Sequence, residues 1–156
     1  MAIADAVLAA RAVFPPTPIE TPDGTHSLIT VMVAIAGAES DWDPRTAGDP
    51  GLRGASCTGM ARGRLVLDAT SWGLWQIHNC HADFLRARTG TEDPCRWADW
   101  LYDPLHNALA AQHILGSDPQ HGLANWSTWG GRWTSWLVGH GPYRKHLAEA
   151  AAAVGS

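Results

Sequence analysis

A chain of 156 residues, 46% hydrophobic and 17% charged, fits one domain with a single sizeable core and excludes a disordered protein. A net charge of −4 with a pI near 6.0 excludes the basic face that nucleic acid demands. It also excludes long-range attraction to anionic cell walls, and no segment reaches the ~18 apolar residues of a membrane span.

Residues 2–13 carry Ile3, Val7 and Ala10, followed by Phe14, near helical spacing, which predicts a first helix. This start is apolar but holds Asp5 and Arg11 and lacks a basic leader, so it reads as a folded helix and not as a signal peptide. FPPTPIETPDG at 14–24 reads as a turn-rich linker, because proline and glycine break helix and sheet. From Leu28 to Ala38 there is no charge, and apolar residues fall on every side of a 3.6-residue period. That pattern predicts a helix buried all round. It ends in Glu39 and Ser40. A carboxylate delivered by a core helix is desolvated on at least one side, which raises its pKa and suits it to general-acid work near neutrality. The alternative is an ordinary solvated glutamate opening a polar loop.

Trp42 is expected to pack against the end of that helix. Residues 44–64, with five glycines and two prolines, read as a long loop with a short hairpin toward Leu65–Leu67. SWGLWQIH follows at 71–78, where Gly73 allows close backbone approach. HADFLRAR at 81–88 predicts a short helix. Asp103 and Pro104 give an N-cap and an N1 proline, and Gly116 stops the helix they start. Leu105, Leu109, Gln112 and Leu115 are its expected face. A tryptophan-rich segment runs over 123–136, and a final helix from Pro142 to about Val154 carries Tyr143, His146, Leu147, Ala150 and Val154 on one stripe. Strand signals are sparse, so the fold is expected to be mainly α, one domain over 1–156. Three cysteines leave at least one unpaired; a Cys80–Cys95 bridge would close a short loop, and free thiols are the alternative.

ESDWDP at 39–44, SWGLWQIH at 71–78 and DPLHNALAA at 103–111 occur in that order. Together they resemble the soluble lytic transglycosylase and goose-type lysozyme group of murein-cleaving enzymes, its phage-lysin branch in particular, over roughly residues 27–147. The resemblance implies a lysozyme-like two-lobed fold with a substrate cleft. It implies cleavage of the β-1,4 bond between N-acetylmuramic acid and N-acetylglucosamine by a single catalytic glutamate, Glu39. The substrate's own N-acetyl group assists at the sugar carbon. The same glutamate then acts as base, on the muramoyl 6-hydroxyl to give a 1,6-anhydro end, or on water. Expected substrate contacts are Ser40, Ser71, Gly73, Trp75, Gln76, Asn107, Trp126, Trp129 and Tyr143. Neither cofactor nor metal is implied. The partner is the peptidoglycan glycan strand, met by a monomer or by a domain of a larger lysin. Phage holin release, or carriage within a virion, would bring it to the wall. The chain departs from the group in its longer 45–70 loop and in lacking a C-terminal Tyr-Asn-Ala-Gly segment; NWSTW at 125–129 resembles the phage-lysin alternative.

Asp41, Asp43, Asp49, Asp68 and Asp83 are all available as a second carboxylate, and Asp68 or Asp83, beside the second motif, is the one expected to hold a water if the outcome is hydrolysis. Two other classes compete. His78, Cys80, His81 and Cys95 would suit zinc, without HExxH or paired CxxC spacing. The nine tryptophans would also suit a non-catalytic carbohydrate-binding module, since sugar faces stack on indoles.

Overall fold

The computed structural model describes residues 2–155. Helix α1 (Ala2–Val13) buries Ala6, Val7 and Ala10, as its spacing demands, and packs on the central helix α2 (Leu28–Ser40). Between them the expected linker is a hairpin. Strands β1 (Pro18–Thr21) and β2 (Gly24–Ser27) pair antiparallel with Ile19 opposite His26. The proline–glycine signal marks its turn, and the fully buried Ile19 anchors it to the core.

Ser27 caps α2 by accepting from the Thr30 amide at 3.2 Å. Every residue from Val31 to Gly37 is buried. Trp42 folds back on the helix as expected, donating its indole N–H to the Val33 carbonyl at 2.8 Å and standing edge-on to His146. A β-carbon on Gly37 would meet the Trp42 ring at 2.7 Å, so this helical position must be glycine. The helix stops because Asp41 turns left-handed (φ 54°) and returns its amide to the Gly37 carbonyl. Trp42 is left-handed too (φ 59°), a strained pair just after Glu39.

Residues 44–81 form a small β lobe. Strands β3 (Ala47–Gly48), β4 (Gly59–Ala61), β5 (Arg64–Val66), β6 (Ser71–Trp72) and β7 (Ile77–His78) make a β3-β6-β7 antiparallel sheet and the expected short hairpin, β4–β5. Helices α3 (Ala82–Thr89), α4 (Pro94–Leu101), α5 (Pro104–Leu115) and α6 (Pro119–Gly122) follow, with single 3-10 turns at Asn79–His81 and Leu123–Asn125. The chain closes with a 3-10 segment, Pro142–His146, and helix α7 (Leu147–Gly155), so the predicted last helix is only half α-helical. Tyr143, Leu147 and Ala150 are buried along it, as their stripe predicts.

Two expectations need correcting. Helix α5 is capped by Asp103 as read, but Leu105 is 45% exposed; the inward face is Asn107, Ala108, Ala110, Ala111 and Leu115. Its small alanines let α1 and α5 lie side by side, so the larger leucines do not mark the seam. The disulfide is Cys57–Cys95, not Cys80–Cys95, and Cys80 is a free, exposed thiol. Helix α4, capped by Asp93 and started by Pro94, carries the same Asp-Pro signal as α5 and was missed by sequence reasoning. It carries Cys95 to the loop bearing Cys57, whereas Cys80 sits on the turn leading into α3. Nearness along the chain is therefore a poor guide to this pairing. The bond closes a separation of 38 residues between lobe and helix, worth about 3–4 kcal/mol through the unfolded chain. Reductant, or Cys57→Ser, is expected to lower the melting temperature by several degrees; identical melts with and without reductant would speak against the bond.

The architecture is mainly α and lysozyme-like. Helix α2 runs through the middle, touching α1, α7, the 142–146 segment and the β1–β2 hairpin, and at its C-terminal end the Ser40 carbonyl accepts from the Thr46 hydroxyl of the β lobe. No helix among the described residues is long and apolar enough to cross a membrane.

Candidate active site

Glu39 lies in the last turn of α2, where the chain leaves the core. Two concavities meet at it. One is a groove of about 600 Å³ and the other a smaller cavity of about 300 Å³, and both are lined by Glu39, Asp49 and Gln76. A separate hollow of about 520 Å³ around Asp23, His26 and Arg144 shares no residue with them.

Burial pushes the Glu39 carboxyl from its ordinary 4.5 up to about 7. The Thr128 hydroxyl donates to Oε1 at 2.8 Å and works the other way, while the negative charge of Asp49 adds to the rise. A carboxyl balanced near neutrality can deliver a proton and later take one back. Thr128 also fixes which way the group faces. Asp49 is itself oriented, accepting from the Ser71 hydroxyl at 2.6 Å, and its backbone is left-handed (φ 52°).

The expected contacts divide. Ser71, Gln76 and Trp126 line the larger groove, and Ser40 and Gln76 the smaller. Ser40 spends its hydroxyl proton on the Ala36 carbonyl one turn back. Gln76, at φ 47°, donates Nε2 to the Thr46 and Gly73 carbonyls at 3.0 and 2.9 Å. Its Oε1 lies so close to Gly48 that a β-carbon there would meet it at 2.2 Å. Trp126 anchors the groove wall through its indole N–H to the Trp75 carbonyl.

The other five line neither concavity. Trp75 is wholly buried, donating to the Met32 carbonyl and standing edge-on to Phe14. Trp129 and Tyr143 pack on each other at 4.8 Å, and the Tyr143 hydroxyl is held by the Gly139 carbonyl; burial pushes that phenol up to about 12. Asn107 is wholly buried and bonded on both sides of its amide. Gly73 (φ 85°) makes room for it, since a β-carbon would fall 2.1 Å from the Asn107 amide nitrogen. Their place in the sequence motifs reflects the scaffold beneath the site.

Sequence reasoning missed Thr128, Asn125, Arg132 and Trp133, and it looked to Asp68 or Asp83 as a second carboxylate, whereas Asp49 lines both concavities and those two line neither. Thr128 and Asn125 sit inside NWSTW, so that motif was the available signal. The zinc reading loses Cys95, whose sulfur is bonded to Cys57 and is no longer a thiolate ligand.

A desolvated helix-end carboxyl thus lies where a helical lobe meets a small β lobe over a cleft, within a lysozyme-like fold. The family model described as Transglycosylase SLT domain matches residues 20–151. That is most of the chain, which therefore belongs to this family of lytic transglycosylases that cleave glycosidic bonds in peptidoglycan. No curated protein and no solved structure matches the chain.

Proposed function

We propose that Glu39 is the single catalytic acid and base, and that the product carries a 1,6-anhydro-muramoyl end. The observation that carries this reading is a carboxyl raised to about 7, oriented by Thr128, where the two concavities meet. Protonated Glu39 gives its proton to the glycosidic oxygen between N-acetylmuramic acid and N-acetylglucosamine. The bond from that oxygen to the muramoyl C1 breaks, and the substrate's N-acetyl oxygen stabilises the cationic carbon. The Glu39 carboxylate then takes the proton of the muramoyl 6-hydroxyl as that oxygen bonds to C1. Glu39 is restored, and no water is consumed. The tethered hydroxyl has a high effective molarity and needs no positioned water, which favours this route.

Asp49 favours a second reading. It lines both concavities, and Ser71 holds its carboxylate in place. Such a group can position a water, and the outcome would then be hydrolysis. Mass spectrometry of digested murein decides between them. Anhydro ends, one water lighter than reducing ends, are expected; reducing ends alone would make this a hydrolase of the same fold. Release of peptides from intact glycan would overturn both.

The proposal includes the place of action, the bacterial wall, reached by phage holin release or within a virion or larger lysin. The Cys57–Cys95 bond supports an oxidising compartment of that kind.

A further inference from the structure

Of the nine tryptophans, Trp133 and Trp136 stand apart, 77% and 51% exposed, while six others are buried in the fold. An indole left in water forgoes the stabilisation that burial would bring. The loop that holds them out is built, not slack. Gly130 (φ 100°) and Gly131 (φ 123°) turn the chain, and a β-carbon on Gly130 would meet the Leu137 carbonyl oxygen at 2.7 Å. The Gly141 amide donates to the Trp129 carbonyl and closes the loop. Inside it, the Thr134 hydroxyl accepts from the Gly131 and Trp136 amides. Arg132 donates to Asn125 at 3.1 Å and ties the loop to the groove wall. Compact loops of this kind are frequently functional.

Trp133 lines the same groove as Glu39, and Leu52, 53% exposed, reaches it from the β lobe. Glu39 is largely shielded where the helix ends, whereas Trp133 stands in solvent at the groove's mouth. We propose that Trp133 is a sugar-stacking platform at the mouth of the cleft, holding a ring of the glycan strand away from the bond that is cut. Its occupant follows from continuity: an extended strand lying across Glu39 in this groove leaves it past Trp133. The indole face suits the apolar C–H face of an N-acetyl sugar. The consequence is a preference for long strands over short fragments. This inference rests on the reading that the groove binds glycan.

The test uses binding, so that it does not depend on turnover. In a Glu39→Gln background, calorimetric titration with N-acetylglucosamine hexamer and dimer compares Trp133→Ala with its parent. Trp133→Ala is expected to weaken the hexamer roughly tenfold, as truncation of an anchoring aromatic does. The dimer should bind as before, and Trp133→Phe should recover most of the loss. Trp136→Ala, which lies outside the groove, should bind both like the parent. Unchanged hexamer affinity in Trp133→Ala, or equal losses for hexamer and dimer, overturns the platform. Intact sugar affinity with lost retention on anionic lipid vesicles would also overturn it and assign the loop to a membrane surface. A parent that binds neither sugar would sink the groove reading itself. Residual cleavage by Glu39→Gln would bear only on the catalytic assignment.

Discussion

Glu39→Gln is expected to cut glycan cleavage by at least ~10²-fold, because glutamine keeps the size and the Thr128 contact but has no acidic proton to give. Wild-type activity should fall on the alkaline side with an apparent pKa of about 7. Asp49→Asn removes a charge that raises that value, so the alkaline limb should move to lower pH. Thr128→Val removes a bond that lowers it, so the limb should move to higher pH. Stability should run opposite to activity in the same variant. The native carboxyl holds its proton more tightly than the unfolded chain, whose ordinary value is 4.5. Its neutral state costs nothing below pH 4.5. Between pH 4.5 and about 7 the unfolded chain ionises first, so the wild type loses stability, and the loss levels off above that. Glu39→Gln escapes this loss. Its advantage should grow across that window to on the order of 1–3 kcal/mol, discounted for the partial exposure of the group. A folded Glu39→Gln enzyme with near-normal lysis, or with a stability gain independent of pH, would remove Glu39 from its role.

How much of this was legible follows from the kind of signal each residue leaves. An uncharged run from Leu28 to Ala38 has one physical use in a domain of this size, so the central helix and the carboxyl at its end could be read directly. Asp103-Pro104 announced α5 by the same directness, because cap and N1 preferences are local. Asp49 could not be ranked. Its value comes from Ser71, 22 positions away, and from a left-handed backbone that no composition reveals. Thr128 is 89 positions from Glu39; NWSTW marks its segment, but nothing in a hydroxyl's sequence context names its partner. The tryptophans misled in a regular way. Trp75 and Trp129 lie in motif-like segments, yet their rings fill the core, while Trp133, outside every recognised motif, stands at the cleft. Residue type alone does not separate an indole that packs from one that binds; the backbone around it does.

Asn107→Ala tests the same distinction for the third motif. The resemblance implies an asparagine close to the glutamate, whereas the structure makes Asn107 a strut. Its Oδ1 accepts from the Trp75 amide at 2.8 Å, and its Nδ2 donates to the carbonyls of Trp72 and Leu101 at 2.9 and 3.0 Å. The side chain is wholly buried, so no water replaces it when it is removed. Truncation leaves one amide and two carbonyls unpaired and opens a void beneath the turn between β6 and β7. That should cost about 3–5 kcal/mol, or a fall in melting temperature of roughly 10 °C. Gly73→Ala should do comparable damage from the other side, since its β-carbon would drive into the Asn107 amide at 2.1 Å and the Leu101 carbonyl at 2.5 Å. The turn these residues brace carries Gln76 into the cleft, so both variants should recover much of their activity well below their melting temperatures. A substrate ligand would behave otherwise. An Asn107→Ala protein that melts like the wild type but has lost turnover at every temperature would place Asn107 on the sugar and not under the turn.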